Sequence, residues 1–202
     1  KNDMILKKEI NKIIKNKNKL SPKSAFYKKL NKEVSTSISR SPFKLLKKKK
    51  ANIHLIGDLI FPFYSMGAIN SLHLFGLDEI IIFCYYLTSK KKYQKVADIG
   101  GNIGLHSIIL SKFYKIVDCY EPDIIHTNKI KENLKLNKVK NVKIIRKAVS
   151  NKSKTLDFIR VLGNTTGSHI AGSKPNPYGK MKIIKDKSIE FRKIIKKYDF
   201  IK

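Results

Sequence analysis

The chain has 202 residues, with 44 Lys and Arg against 15 Asp and Glu, a formal net charge of +29. That length suits one domain, or one domain with an extension, and a hydrophobic content of 42% supplies a core and excludes global disorder. The longest apolar run, Ile80 to Leu87, is far short of the roughly 20 residues of a bilayer-spanning helix. Cys84 and Cys119 are the only cysteines. They exclude a disulfide scaffold and a cysteine-rich zinc site, and both read as small buried apolar residues. His54 and His73 have no metal-ligand spacing, so no metal is expected. With no apolar signal core at the N-terminus, the expected compartment is cytoplasmic.

The charge invites a nucleic-acid reading, because lysines neutralise phosphates. Residues 1–50 hold seventeen of the basic residues and three of the acidic ones. Against that reading, the only arginines are Arg40, Arg146, Arg160 and Arg192, and Arg is the better fork for phosphates and base edges. Lys, Ile and Asn rise together, as an AT-rich coding bias would produce. Nucleic acid therefore stands as the alternative partner, not the favoured one.

In chain order, Ile5, Leu6, Ile10, Ile13 and Ile14 recur at helical spacing, predicting a short amphipathic helix. Ser21-Pro22 and Ser41-Pro42 mark turns or helix starts, and Lys47–Lys50 reads as a solvated linker. Composition changes at Ala51. Gly57, Pro62, Gly67 and Gly76 break the next stretch into short pieces, and Leu77–Ser89 reads as a helix with Asp78 and Glu79 in its first turn. From Lys95 the pattern turns regular: strand Val96–Ile99, helix Ile103–Phe113, strand Ile116–Tyr120, helix Ile124–Leu136, strand Val142–Arg146. This alternation predicts right-handed crossovers and a parallel sheet. A strand over Leu156–Leu162, a loop over Gly163–Lys180, a strand over Met181–Lys185, a helix over Ser188–Lys197 and a strand over Tyr198–Ile201 complete the reading. The expected organisation is a Lys-rich extension over residues 1–50, a helical lead-in over 51–94 and an α/β domain over 95–202.

The segment that carries chemistry is Asp98-Ile99-Gly100-Gly101-Asn102-Ile103-Gly104. It leaves a strand and opens a helix, and its glycines let backbone approach a ligand or let helix pack on strand. An acid in the turn repels a pyrophosphate and suits an amine-bearing ligand. Glu121, at the tip of the next strand, is placed to accept from ribose hydroxyls. A ligand with both an amino-acid end and a ribose is S-adenosylmethionine.

Val96-Ala97-Asp98-Ile99-Gly100-Gly101-Asn102-Ile103-Gly104 resembles the first motif of class I S-adenosylmethionine-dependent methyltransferases, and more narrowly that of the FkbM family. The resemblance extends to Tyr120-Glu121-Pro122, Glu132–Asn137, Asn141-Val142 and Ala148-Val149-Ser150. Tyr198–Lys202 resembles the lead-in to the family's Ile-Asp-x-Glu-Gly segment, so the resemblance implies a domain incomplete at its C-terminus, an N-terminal portion of a longer protein. The implied fold is α/β: a Rossmann-like, three-layer α/β/α sheet of strand order 3-2-1-4-5-7-6, here with a basic helical N-terminal extension. By the same resemblance Asp98, Gly100, Gly101, Asn102 and Gly104 hold the methionine end of the cofactor and Glu121 the ribose. Pro122 and Asp123 shape the adenine edge, and Ala148 lies near the adenine face. The implied reaction is O-methylation of a hydroxyl on a sugar, glycan or small metabolite. An RNA methyltransferase or a non-catalytic nucleic-acid binder on the same scaffold is the alternative. The general base is not identified; its candidates are His106, one turn inside the first helix, and His169, in the loop expected over the strand tips, each with a plain structural reading beside the catalytic one.

Overall fold

The computed structural model describes residues 4–45, 49–67, 69–162, 167–174 and 179–202. Lys47 and Lys48 of the expected linker, and residues 163–166 and 175–178 of the expected loop, lie outside the described residues. The chain divides into two compact units, Lys1–Ser65 with Asn70–Lys90, and Met66–Ile69 with Lys91–Lys202.

The first unit contains β1 (Met4–Ile5), α1 (Lys7–Lys15), α2 (Ala25–Ser39), β2 (Lys50–Ile53), β3 (Gly57–Ile60) and α3 (Leu77–Ser89). β1 runs parallel to β2, and β2 pairs antiparallel with β3. The helices form because each has one apolar stripe to bury. Ile10 and Ile13 are buried on α1, and Leu30, Val34 and Ile38 are buried at four-residue spacing on α2. Ser24 caps α2, its hydroxyl accepting from the Tyr27 N–H at 3.0 Å. Phe43 stacks on Phe75 with centroids 4.5 Å apart. The Lys-rich residues and the lead-in segment thus contribute to one core.

The second unit is a mixed α/β structure with a parallel sheet. Its elements are β4 (Lys95–Ile99), α4 (Leu105–Ser111), β5 (Ile116–Tyr120), α5 (Ile124–Leu136), β6 (Val142–Ile145), β7 (Ala148–Ser150), β8 (Thr155–Val161), β9 (His169–Ile170), β10 (Met181–Glu190), α6 (Arg192–Ile195) and β11 (Phe200–Ile201). One sheet has the order β11-β4-β5-β6, with every pairing parallel. Alternation along the strands sorts its faces. Asp98 and Cys119 meet the α4 and α5 side, where Ser107 and Gly101 lie. Ala97 and Tyr120 cluster with Ile194 of α6. A second sheet has the order β7-β10-β8-β9.

Three expectations change. The helix predicted over Ile103–Phe113 is shorter, Leu105–Ser111, because Gly104 enters it in the left-handed region at φ 89° and the turn before it takes Ile103. The helix predicted over Ser188–Lys197 shrinks to Arg192–Ile195. Residues 188–190 instead extend β10, pairing parallel with Ala148–Ser150, and a ladder partner forty residues away overrides local helix propensity. His169 is not on an open loop: it lies in β9, buried and paired with Ile159.

Candidate functional site

The turn after β4 is fastened to the tip of β5. The N–H groups of Gly100 and Gly101 both donate to the Tyr120 carbonyl, at 2.9 and 3.1 Å. Gly101 has no room for a side chain, since a Cβ there would collide with Cys119 Sγ. Gly104 packs its backbone against Ile130 of α5. Gly100 differs: it has φ 76°, and the place a Cβ would take is open space. Gly101 and Gly104 therefore serve packing, while Gly100 leaves room above the turn. From α5, the buried Asn133 amide donates to the Ile103 carbonyl at 2.8 Å and braces the turn.

Glu121 is the hub. It is buried, its Oε2 accepts from the Asn102 N–H at 2.8 Å and its Oε1 from the Asp123 N–H at 3.0 Å. His126 Nδ1 lies 3.5 Å from Oε1. Asn102 holds a left-handed φ of 49°, a conformation asparagine tolerates better than most residues. Gly100, Asn102, Glu121, Pro122, His126, Phe158 and Ser168 line one cavity of about 190 Å³. Two buried polar atoms of its lining residues, Asn102 Oδ1 and His126 Nε2, have no hydrogen-bond partner among the described residues.

Asp98 is fully buried and does not line this cavity. Its Oδ2 accepts from the Ser107 hydroxyl at 2.6 Å, and its Oδ1 lies 3.0 Å from Lys202 Nζ. Burial pushes the carboxyl up, but the Lys202 ammonium, His106 and the Ser107 hydroxyl outweigh it and hold the group below the ordinary carboxylate range. Asp123 is also buried. It caps α5, with Oδ1 accepting from the Ile125 N–H at 2.8 Å, and it takes a two-pronged ion pair from Arg160 of β8. Burial raises this carboxyl too, and the Arg160 fork with the Ile125 N–H lowers it further than burial raises it. Ala148 packs with Leu156 and Phe158 in the second sheet.

Of the expected cofactor-binding residues, the fold gathers Gly100, Asn102, Glu121 and Pro122 on one cavity. It puts Asp98, Gly101, Gly104, Asp123 and Ala148 behind or beside it. Of the two candidate bases, His106 acts on the Asp98 carboxylate. His169 Nδ1 lies 2.9 Å from the Gly167 carbonyl. Three lining residues carried no sequence expectation: His126, Phe158 and Ser168. His126 had one legible signal, its place in the first turn of the helix that follows the strand-tip acid.

Both cysteines are buried. Burial pushes the Cys84 thiol up to about 12 and the Cys119 thiol higher still, so neither is a ready nucleophile. Among the described residues, no three His, Cys, Asp or Glu gather as a metal site, and no helix is long and apolar enough to cross a membrane.

No family model matches the sequence, and no curated protein does. Four chains of known structure match. One is the crystal structure of wild-type Trm5b from Pyrococcus abyssi, at 21% identity and a TM-score of 0.30, over 48% of this chain and 37% of that one. The match thus spans little more than a third of that relative, and an overlap of this extent assigns neither reaction nor acceptor.

Proposed function

We propose that the second unit belongs to an S-adenosylmethionine-dependent methyltransferase of FkbM type. The observation that carries this reading is Glu121: a buried carboxylate at the tip of the second parallel strand, tied to the glycine turn of the first and standing on a cavity. The parallel order β6-β5-β4-β11 supports it, because it is the 3-2-1-4 portion of the order the resemblance implies. The cavity, below the roughly 300–1,000 Å³ of drug-sized ligand pockets, suits the ribose portion of a nucleoside. Its unpaired buried atoms fit a ligand that brings hydroxyls. Asp98 fits the amine end less directly, because its carboxylate is committed to Ser107 and Lys202; its role here is to hold the turn through α4.

S-adenosylmethionine, when bound, supplies a methyl group on a sulfonium centre. The chain's residues orient it. Glu121 accepts hydrogen bonds from the ribose, Asn102 closes the turn against it, and the open space at Gly100 lets the ligand lie on backbone. The rate then comes from placing an acceptor oxygen in line, with a base to take its proton. The acceptor in this reading is a hydroxyl of a sugar, glycan or small metabolite. The net charge of +29 favours a second reading, in which the acceptor is RNA held by lysines.

Transfer of radiolabelled methyl from S-adenosylmethionine to a sugar-and-metabolite pool and to total RNA tests both readings. Label in the small-molecule fraction, insensitive to salt, supports the first. Label in RNA that falls steeply between low and moderate salt supports the second. Label in neither, from a folded protein, counts against both.

A further inference from the structure

The first unit holds an apolar groove of its own. On α3, Ile81, Cys84, Tyr85 and Thr88 stand at i, i+3, i+4 and i+7 and so share one helix face. Ile13 and Ile14 of α1, which packs on α3, line the other side, and Leu20 lines it from the segment that follows α1. The groove has a volume of about 210 Å³. An apolar cavity of roughly 150 Å³ already stays dry and takes a benzene-sized guest. Burial keeps the Cys84 thiol protonated, so that part of the wall is uncharged. The groove is open to ligand: Tyr85 is 45% exposed, and Ile82, three residues before it on the same helix, is 37% exposed.

A single charge borders this apolar lining. Among the described lining residues Lys17 alone is ionised, and its ammonium acts on the Cys84 thiol against the effect of burial. An exposed ammonium beside an apolar slot matches a ligand with an alkyl chain and one negative end. A protein partner fits less well, because the eight lining residues fall short of the roughly 20–30 residues a side of a stable interface. We propose that the groove binds a medium-chain acyl carboxylate, with its alkyl chain between α1 and α3 and its carboxylate at Lys17 Nζ. This site does not depend on the methyltransferase reading of the second unit.

The net charge of +29 attracts any anion, so the test separates the groove from the overall field. The full chain, labelled at its isoleucine methyls, is titrated in NMR with hexanoate, octanoate, octanol and octylammonium below micelle formation. Octanoate is expected to shift the Ile13, Ile14 and Ile81 methyls and not that of Ile183, which is 65% exposed on β10. Affinity is expected to rise about fourfold per methylene from hexanoate to octanoate. Octanol is expected to bind a few-fold more weakly than octanoate, the scale of one exposed ion pair, and octylammonium more weakly still. Lys17→Glu is expected to weaken octanoate several-fold and leave octanol unchanged. Lys29→Glu makes the same charge change at an exposed position of α2 and is expected to alter neither. Ile14→Gln is expected to weaken octanoate and octanol alike; if it does not fold, the chain-length series and Lys17→Glu decide. Shifts spread over exposed isoleucines, affinity independent of chain length, or equal losses in Lys17→Glu and Lys29→Glu overturn the proposal. Shifts at these methyls with phosphatidylglycerol vesicles and none with octanoate overturn it in favour of a membrane surface.

Discussion

Arg160 of β8 grips Asp123 at the N-terminus of α5 through two hydrogen bonds of 2.5 Å, and both side chains are buried. This fork ties the second sheet to the helix that follows Glu121. It holds Phe158 and Pro122, two walls of the cavity, to a fixed relation. Removing one partner of a buried ion pair strands the other charge, a loss of roughly 3–5 kcal/mol. Arg160→Met is expected to destabilise the second unit by about that amount in urea unfolding. Adding Asp123→Asn is expected to recover much of it, because asparagine still caps the helix and carries no charge. Equal stability of Arg160→Met and wild type would contradict this assignment.

Gly100 and Gly101 are neighbours with opposite roles. Gly101→Ala forces a methyl into Cys119 Sγ, and overpacking of this kind costs roughly 1–3 kcal/mol. Cys119→Ala removes the sulfur. The pair is therefore expected to show a favourable coupling in a double-mutant cycle. Gly100→Ala meets no atom and suffers only its left-handed φ, about 1 kcal/mol. It is expected to lower S-adenosylmethionine affinity more than stability. Chemical denaturation of the four variants beside calorimetry separates the two effects.

Acid stability follows from Asp98 and Asp123. Both carboxyls are held below the ordinary range in the folded chain. A depressed carboxyl stabilises the fold above its unfolded pKa of about 3.9 and loses that contribution as pH falls through the folded value. The unfolding midpoint is thus expected to be flat near neutrality and to drop below about pH 4. Lys202→Gln removes the ammonium from Asp98, so the folded carboxyl rises toward its unfolded pKa; stability near neutrality falls and the loss on the acid side becomes smaller. A melting series from pH 2 to 7 checks this, and an acid limb unmoved by Lys202→Gln would show that the ion pair contributes nothing.

The alternating strands and helices from Lys95 to Ile145 were legible because each carries its signal locally: a short apolar strand, a glycine turn, an apolar helix stripe. Strand β5 and helices α3 and α5 have the bounds the sequence predicts. Helix α2 was not legible, since Leu30, Val34 and Ile38 are separated by lysines and serines that mask the stripe. The true length of β10 depends on Ala148–Ser150, far away in the chain, and the grip of Arg160 on Asp123 spans thirty-seven residues. Glu121 could be read from its position at a strand tip. His126 offered only its place in the first turn of α5, because a lone histidine on a helix carries no further pattern until the carboxylate beside it is seen. Asp98 reads as a ligand residue in the sequence, but the Lys202 ammonium that neutralises it enters from the last strand.

The central claim is that the turn at Gly100 and the carboxylate of Glu121 hold a nucleoside-bearing methyl donor. Calorimetric titration of S-adenosylmethionine into the 202-residue chain, beside Glu121→Ala, tests it most directly. The account predicts one site of micromolar strength in the wild-type protein and at least a tenfold loss in a folded Glu121→Ala. No heat of binding from a folded wild-type chain, or equal affinity in the two proteins, would contradict it.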